Sequence, residues 1–322
     1  MKITATDGYT LNPGDNPWDD VAALGELTVY DRTAPEDLIE RCLDSEIAIV
    51  NKTPFDAAAL ARLPRLKFIT MAATGYDCID IEAAGRHGVP VSNIPIYGTD
   101  TVAQYVFSAI LHLAHNISLH AEAVQKGDWA GSPDWCFWNR PLVELKGLCI
   151  GIVGFGRIGR RVGEIASAFG MRVLAHDPTP GEAPAYKRFE WGSLEAIFER
   201  ADVVTLHSPL TPDNREFVNM ALLSRMKPSA FFINAARGGL VDEIDLAQAL
   251  SRGQLAGAVV DVVSREPIRP DNPLLGIPNL VITPHIAWAT LAARQRLMAG
   301  IVENIQAFLS GRTVHVVNQR FL

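Results

Sequence analysis

Cysteine is sparse in this sequence. The 322 residues contain four, Cys42, Cys78, Cys136 and Cys149, and no two stand in a CxxC spacing. That argues against a disulfide framework or a zinc knot and fits a reducing, cytoplasmic compartment. Basic clusters are missing as well: the formal net charge is −7, and no dense run of Lys and Arg marks a nucleic-acid or anionic-membrane surface. No apolar core follows the lysine of MKITATDGYT, so no secretory leader is read there. The most apolar helical stretch, VAQYVFSAILHLAHNI at 102–117, carries Gln104, His112 and His115 and is short for a bilayer. His112, His115 and His120 have no HExxH signature and no cysteine ligands nearby. They read as helix-surface or core histidines, and no metal is assigned. The expectation is a soluble intracellular chain with neither nucleic acid nor membrane as partner.

Apolar residues, at 48%, are ample for packed cores, and the length suggests two domains at about 150 residues each. Short β-rich runs alternate with helical stretches, the pattern of a parallel α/β architecture. The first series of strands is KITAT (2–6), LTVY (27–30), IAIVN (47–51), KFIT (67–70) and VPVSN (89–93), with PEDLIERCL and DAAALARL as helices between them. A second series starts at 148 with LCIGIVG. It continues through RVLAHD (172–177), DVVTLH (202–207), AFFINAA (230–236), AGAVVDV (256–262) and LVIT, with helices such as LEAIFER and EIDLAQALSRG. Two doubly wound parallel-sheet lobes follow, the second opening with the helix near Thr99–Asp100. A last helix, at about 290–310, comes after the second series, and periodicity leaves open whether it returns to the first lobe.

The stretch GIVGFGRIGRRVGEIASAFGMRVLAHD holds Gly154-x-Gly156-x-x-Gly159 directly after a strand and directly before a helix. Such a triplet alone is weak, because glycine is common in turns; here it has the context of a dinucleotide site. Gly154 permits the tight turn, Gly156 lets a pyrophosphate approach the backbone, and Gly159 lets helix and strand pack closely. The helix N-terminus offers unpaired N–H groups to the phosphates. Asp177 stands eighteen residues past Gly159, at the end of the next strand. A carboxylate there accepts hydrogen bonds from ribose hydroxyls and repels a 2′-phosphate, and Pro178-Thr179-Pro180 supplies no arginine to offset it. NAD(H) is therefore the expected cofactor.

Polar residues just past the later strands face the cofactor crevice of such a sheet. Three stand there: Arg237 after AFFINAA, Glu266 after AVVDVVSR, and His285 after LVIT. Each alone has an ordinary explanation, as an ion-pair arginine, a solvated acid or a capping histidine. Together they form a set. An imidazole gives or takes a proton near neutral pH, a carboxylate on its other nitrogen favours the imidazolium, and a guanidinium grips a substrate carboxylate through its planar fork.

The ordered run GFGRIG, Asp177, LHSPLTPDN, INAARGGLVDE, Glu266-Pro267 and TPHIAW resembles the D-isomer-specific 2-hydroxyacid dehydrogenase family from about residue 45 to 310. The resemblance implies a Rossmann-like NAD lobe at 99–287 and a discontinuous, flavodoxin-like substrate lobe at 1–98 and 288–322. It implies that Arg237 binds substrate, that Glu266 pairs with the histidine, and that His285 donates the proton during reduction of a 2-oxo acid. It further implies a carboxylate-binding loop at Ala73-Thr74-Gly75 and cofactor contacts at Arg157, Ile158, Ser208, Asn214, Ala235 and Asp261.

Within the family, formate dehydrogenases carry glutamine where Glu266 stands, and phosphite dehydrogenases use a lysine where this chain has Thr74. Long phosphoglycerate dehydrogenases add a regulatory domain for which a chain ending at Leu322 leaves no room. Trp288 and the aromatic segment PDWCFWNRP (133–141) are similar to the glycerate dehydrogenase, or hydroxypyruvate reductase, branch. Hydroxypyruvate or glyoxylate is the expected substrate, with a D-lactate-type dehydrogenase as the alternative. Trp135, Phe137 and Trp138 fit either the mouth of a site or interface packing, and the resemblance implies a homodimer. A non-enzymatic NAD(H)-sensing corepressor shares the scaffold; it is disfavoured because no extra interaction segment flanks the lobes.

Overall fold

The computed structural model describes residues 1–322. The chain divides into two compact units, one formed by Met1–Gly98 with Ala289–Leu322 and the other by Thr99–Trp288. Trp288, read from the sequence as the first residue of the returning substrate lobe, instead closes the second unit.

In the first unit the strands are β1 (Lys2–Ala5), β2 (Glu26–Val29), β3 (Ile47–Val50), β4 (Phe68–Met71) and β5 (Val91–Ser92). They alternate with the short helices α1 (Asp19–Ala22), α2 (Leu38–Cys42), α3 (Ala57–Ala61) and α4 (Ile81–Arg86). All strand pairs are parallel, in the order β2-β1-β3-β4-β5, a doubly wound order of the flavodoxin type. Every residue of β3 and β4 is buried, as it must be when helices cover both faces. Aspartates cap two of the helices: Asp56 accepts from the Ala59 N–H and Asp80 from the Ala83 N–H.

The final helix, Leu291–Leu309, belongs to this unit. Its Phe308 ring stacks on Phe68 of β4 at 4.6 Å. Beyond it the tail lies along the sheet edge. Val316 bridges Ser92, the Val317 N–H donates to the Val91 carbonyl, and the Asn318 side chain accepts from the Val91 N–H. The edge that β5 would leave open is thereby paired.

The second unit opens with α5 (Thr99–His115) and α6 (Ile117–Gln125). The apolar run at 102–117 is not one helix, because Asn116 adopts a left-handed φ of 47° and breaks it. The remaining elements are β6 (Cys149–Val153), α7 (Arg157–Ala168), β7 (Arg172–His176), β8 (Phe189–Trp191), α8 (Leu194–Arg200), β9 (Val203–Leu206), α9 (Met220–Leu223), β10 (Phe231–Asn234), α10 (Glu243–Ser251), β11 (Gly257–Val260) and β12 (Leu280–Ile282). The sheet is parallel throughout, in the order β12-β11-β10-β9-β6-β7-β8. The order reverses between β6 and β9, the switch point at which doubly wound sheets bind ligands beyond their carboxyl ends.

Two apolar layers flank this sheet. One is built on Phe198, Leu206, Phe232 and Leu246, the other on Val106, Ile110, Ile152 and Val162. The strand β8, absent from the strands read off the sequence, has only three residues and a partly exposed edge position.

Candidate active site

The turn from β6 into α7 is built by its glycines. Gly154 sits at φ 90°, and a Cβ there would lie 2.7 Å from the Ser208 nitrogen. A Cβ on Gly159 would lie 2.2 Å from the Gly154 carbonyl oxygen, so turn and helix touch. Gly156 differs from both. It is the N-cap of α7, no side chain caps the helix, and its Cβ would point into open space. A bare helix N-terminus opening on empty space suits a pyrophosphate, with the amides of Arg157 and Ile158 presented to it.

Asp177 follows β7, as a ribose-reading acid requires. One carboxylate oxygen accepts from the Phe155 N–H at 2.9 Å and the other from the Thr179 N–H at 3.0 Å. These bonds orient the carboxylate and leave each oxygen further lone pairs. The residues present therefore fit NAD. On the far side of the switch point, Ser208 packs against Gly154. Asn214 accepts from the Thr211 N–H and donates to the Pro209 carbonyl, so its side chain shapes the 209–214 loop. Ala235 is half-buried just past β10.

Past β10, the Asn234 side chain shapes the turn that carries Arg237. Its Oδ1 accepts from the Ala236 N–H at 3.0 Å and its Nδ2 donates to the Arg237 carbonyl at 2.9 Å. The guanidinium of Arg237 donates to the Ala236 carbonyl. The next residue, Gly238, lies against the backbone of the neighbouring connection: a Cβ there would come within 1.9 Å of the Val263 carbonyl carbon. That close approach sets the turn of Arg237 against the segment leading to Glu266. Glu266, followed by a cis bond to Pro267, accepts from the Val263 N–H through Oε1.

His285 reaches the same acid from past β12. Its Nδ1 lies 2.6 Å from Glu266 Oε2, with the two side chains 26% and 34% exposed. A carboxylate only accepts, so Nδ1 carries the hydrogen and Nε2 is left as the nitrogen that exchanges a proton. The structure thus joins His285 directly to Glu266, and Gly238 sets the turn of Arg237 against the same connection.

Asp261, expected from the resemblance to touch cofactor, is 1% exposed, and its carboxylate holds the turn of the histidine. Oδ1 accepts from the Thr283 hydroxyl at 2.6 Å and the Ile286 N–H at 2.8 Å, and Oδ2 from the Ala287 N–H at 2.7 Å. Thr283 in turn bonds the hydroxyl of Tyr105 on α5. Neither Thr283 nor Tyr105 stood out in the sequence. Thr283 could have been found by its place two residues before His285. Tyr105, 178 residues away, carries no local signal.

In the first unit, the loop Ala73-Thr74-Gly75 leaves the end of β4. The Ala73 carbonyl accepts from the Ile94 N–H, the Thr74 hydroxyl donates to the Ile94 carbonyl, and the Asn93 amide donates to the Thr74 carbonyl. These bonds occupy the Ala73 and Thr74 carbonyls, which would repel an anion, and commit the Thr74 hydroxyl hydrogen to Ile94.

Two other chemistries have no support. Burial pushes the thiols of Cys42 and Cys78 up to about 11, which disfavours thiolate nucleophiles there. The ring nitrogens of His120 bond the Asn116 carbonyl and the Asn139 N–H.

The D-isomer-specific 2-hydroxyacid dehydrogenase NAD-binding domain matches residues 107–287. The chain is 44% identical to a hydroxypyruvate reductase of Blautia hydrogenotrophica over 99% of this chain and 100% of that protein. It is 41% identical to a glycerate dehydrogenase of Methylorubrum extorquens over 91% and 92% of the two chains. A solved D-lactate dehydrogenase of Aquifex aeolicus, complexed with NAD and lactic acid, superposes with a TM-score of 0.85 at 28% identity, covering 97% of this chain and 96% of that one. The glycine turn, the oriented Asp177 and the polar strand ends thus sit in a chain that belongs to the D-isomer-specific 2-hydroxyacid dehydrogenases, an NAD-dependent oxidoreductase whose second unit is the NAD-binding domain of that family.

Proposed function

We propose that this enzyme reduces hydroxypyruvate, and more slowly glyoxylate, to the D-2-hydroxy acid with NADH. The observation that carries the reading is the 2.6 Å bond between His285 and Glu266, beside a turn that presents Arg237. Similarity over nearly full length to a hydroxypyruvate reductase and a glycerate dehydrogenase supports the substrate.

NADH, held by the glycine turn and Asp177, would supply the hydride that C2 of the substrate receives. Arg237 pairs with the substrate carboxylate and draws charge from the carbonyl oxygen. His285 gives that oxygen its proton from Nε2 and takes it back in the reverse direction, while Glu266 holds the ring through Nδ1. The N–H groups of Ala73, Thr74 and Gly75 are assigned to the substrate carboxylate, and Trp288 to the substrate side chain. Gly154, Gly156, Arg157, Ile158 and Gly159 are assigned to the pyrophosphate, and Asp177 to the ribose. Ser208, Asn214 and Ala235 are assigned to the rim of the cofactor pocket, whereas Asp261, buried and bonded to the 283–287 turn, supports it from beneath.

The same reading makes the enzyme a cytoplasmic homodimer. The segment after α6 exposes Trp129, Trp135 (87%) and Trp138, with Ile117 of α6 70% exposed beside it. A groove there is lined by Ile117, Val124, Trp129, Phe137 and Trp138. Aromatic surface of this kind is the composition of a subunit interface. No helix is long and apolar enough to cross a membrane.

Following NADH absorbance with hydroxypyruvate, glyoxylate, pyruvate and 2-oxoisocaproate tests the substrate. Fast oxidation with hydroxypyruvate and weaker oxidation with pyruvate is expected. NADH binding without turnover on any of them would overturn the reading.

A further inference from the structure

The histidine at the strand end sits in a backbone conformation that few side chains adopt. His285 has φ 55°, in the left-handed region, and the residue before it is Pro284, which has no N–H to anchor the turn. Such a residue keeps its place only where its surroundings over-determine it. Here the surroundings converge on one carboxylate. The His285 N–H donates to the Asp261 carbonyl at 2.8 Å, while the Ile286 and Ala287 N–H groups and the Thr283 hydroxyl donate to the two oxygens of the Asp261 side chain.

Thr283 has one hydrogen to give. Because the carboxylate only accepts, that hydrogen goes to Asp261, and the Tyr105 hydroxyl must be the donor in its 2.5 Å bond to Thr283 Oγ1. The chain therefore runs in one direction, Tyr105 O–H to Thr283 O–H to Asp261. Each donor polarises the next and fixes the rotor of the threonine hydroxyl. A second tie joins the same two elements: the Thr101 hydroxyl of α5 bonds the Ala287 carbonyl.

We propose that Tyr105 and Thr283 are positioning residues for the reduction: through Asp261 they hold the left-handed turn that aims His285 Nε2 at the substrate oxygen. The proposal rests on the reading of His285 as the proton donor. Neither residue touches substrate, and their effect is on the geometry of proton transfer. Misplacement of a reacting group by a fraction of an ångström to an ångström costs up to about a hundredfold in rate. Glu266 at Nδ1 and Asp261 beneath the turn keep their charges when Tyr105 or Thr283 is changed.

The test uses the full-length enzyme with NADH and hydroxypyruvate. Tyr105→Phe removes the outer donor, Thr283→Val removes both bonds with little change of shape, and Thr283→Ser restores the hydroxyl. Tyr105→Phe is expected to lower kcat about threefold to tenfold and Thr283→Val about tenfold to a hundredfold. KM and the NADH dissociation constant, read from nicotinamide fluorescence, are expected to stay within about twofold. Thr283→Ser is expected to recover most of kcat.

If kcat is unchanged in both Tyr105→Phe and Thr283→Val, whatever happens to thermal stability, the chain is merely structural and the proposal fails. It also fails if the rate falls only in proportion to NADH affinity. Should Thr283→Val not fold, Tyr105→Phe and Thr283→Ser decide the matter by the same readouts. Failure of the underlying reading is seen separately, as full turnover by His285→Ala in the otherwise unchanged enzyme.

Discussion

In the proposed mechanism His285 and Glu266 divide one task by chemistry: the acid is held at Nδ1, and Nε2 is left to exchange a proton with the substrate. Glu266→Gln replaces the acceptor on Nδ1 by an amide of the same shape, and kcat is expected to fall about tenfold or more while NADH affinity stays within about twofold, as initial rates and nicotinamide fluorescence will read. An unchanged kcat would show that the acid has no part in the step. Asp177 makes a separate prediction at this scale. Asp177→Ala is expected to narrow the preference for NADH over NADPH, measured as the ratio of kcat/KM, by about tenfold or more through lost ribose bonds and lost repulsion. An unchanged ratio would place the discrimination elsewhere.

Elements carry these residues, and the glycines set how closely the elements approach. Gly238→Ala would push a methyl into the Val263–Ser264 backbone, which has no flexible end to move aside. It is expected to cost about 1–3 kcal/mol in urea unfolding and to lower kcat/KM by displacing Arg237 from the connection that leads to Glu266. Stability and rate equal to those of the parent would contradict that packing.

Legibility followed the same divide. The glycine turn, the acid after β7 and the strand-end trio could be read because each depends on residues adjacent in sequence to a strand end. The short β8 escaped because two partly buried residues around one exposed residue carry little periodicity. The break at Asn116 escaped because the apolar pattern runs on through it, from α5 to Ile117. Tyr105 carried no signal, since its bond to Thr283 joins α5 to the end of β12 rather than to its sequence neighbours. Asp261 was legible as important, but its bonds to the 283–287 turn were not.

At the scale of the molecule, a buried base links folding to pH. Burial pushes His207, just past β9, down to about 3, while the unfolded chain returns it to about 6.5. The folded state therefore resists a proton that the unfolded state accepts. The stabilisation is complete above about pH 6.5 and is lost as pH falls toward 3, by at most about 1.4 kcal/mol per pH unit. The residue as a whole is only half-buried, which makes the real slope smaller than that ceiling. Urea unfolding at pH 7, 6 and 5 is expected to show stability falling with pH, and His207→Gln, which cannot take the proton, to flatten the decline. Parallel declines in the two proteins would rule out His207 as the source.

The whole account turns on one nitrogen. The most direct measurement is NADH binding and hydroxypyruvate turnover by His285→Ala side by side with the parent enzyme. The account predicts NADH affinity within about twofold of the parent and a loss of kcat of about a hundredfold or more, in the range by which a positioned proton donor accelerates such a step. Turnover near the parental rate, with NADH bound as before, would contradict it.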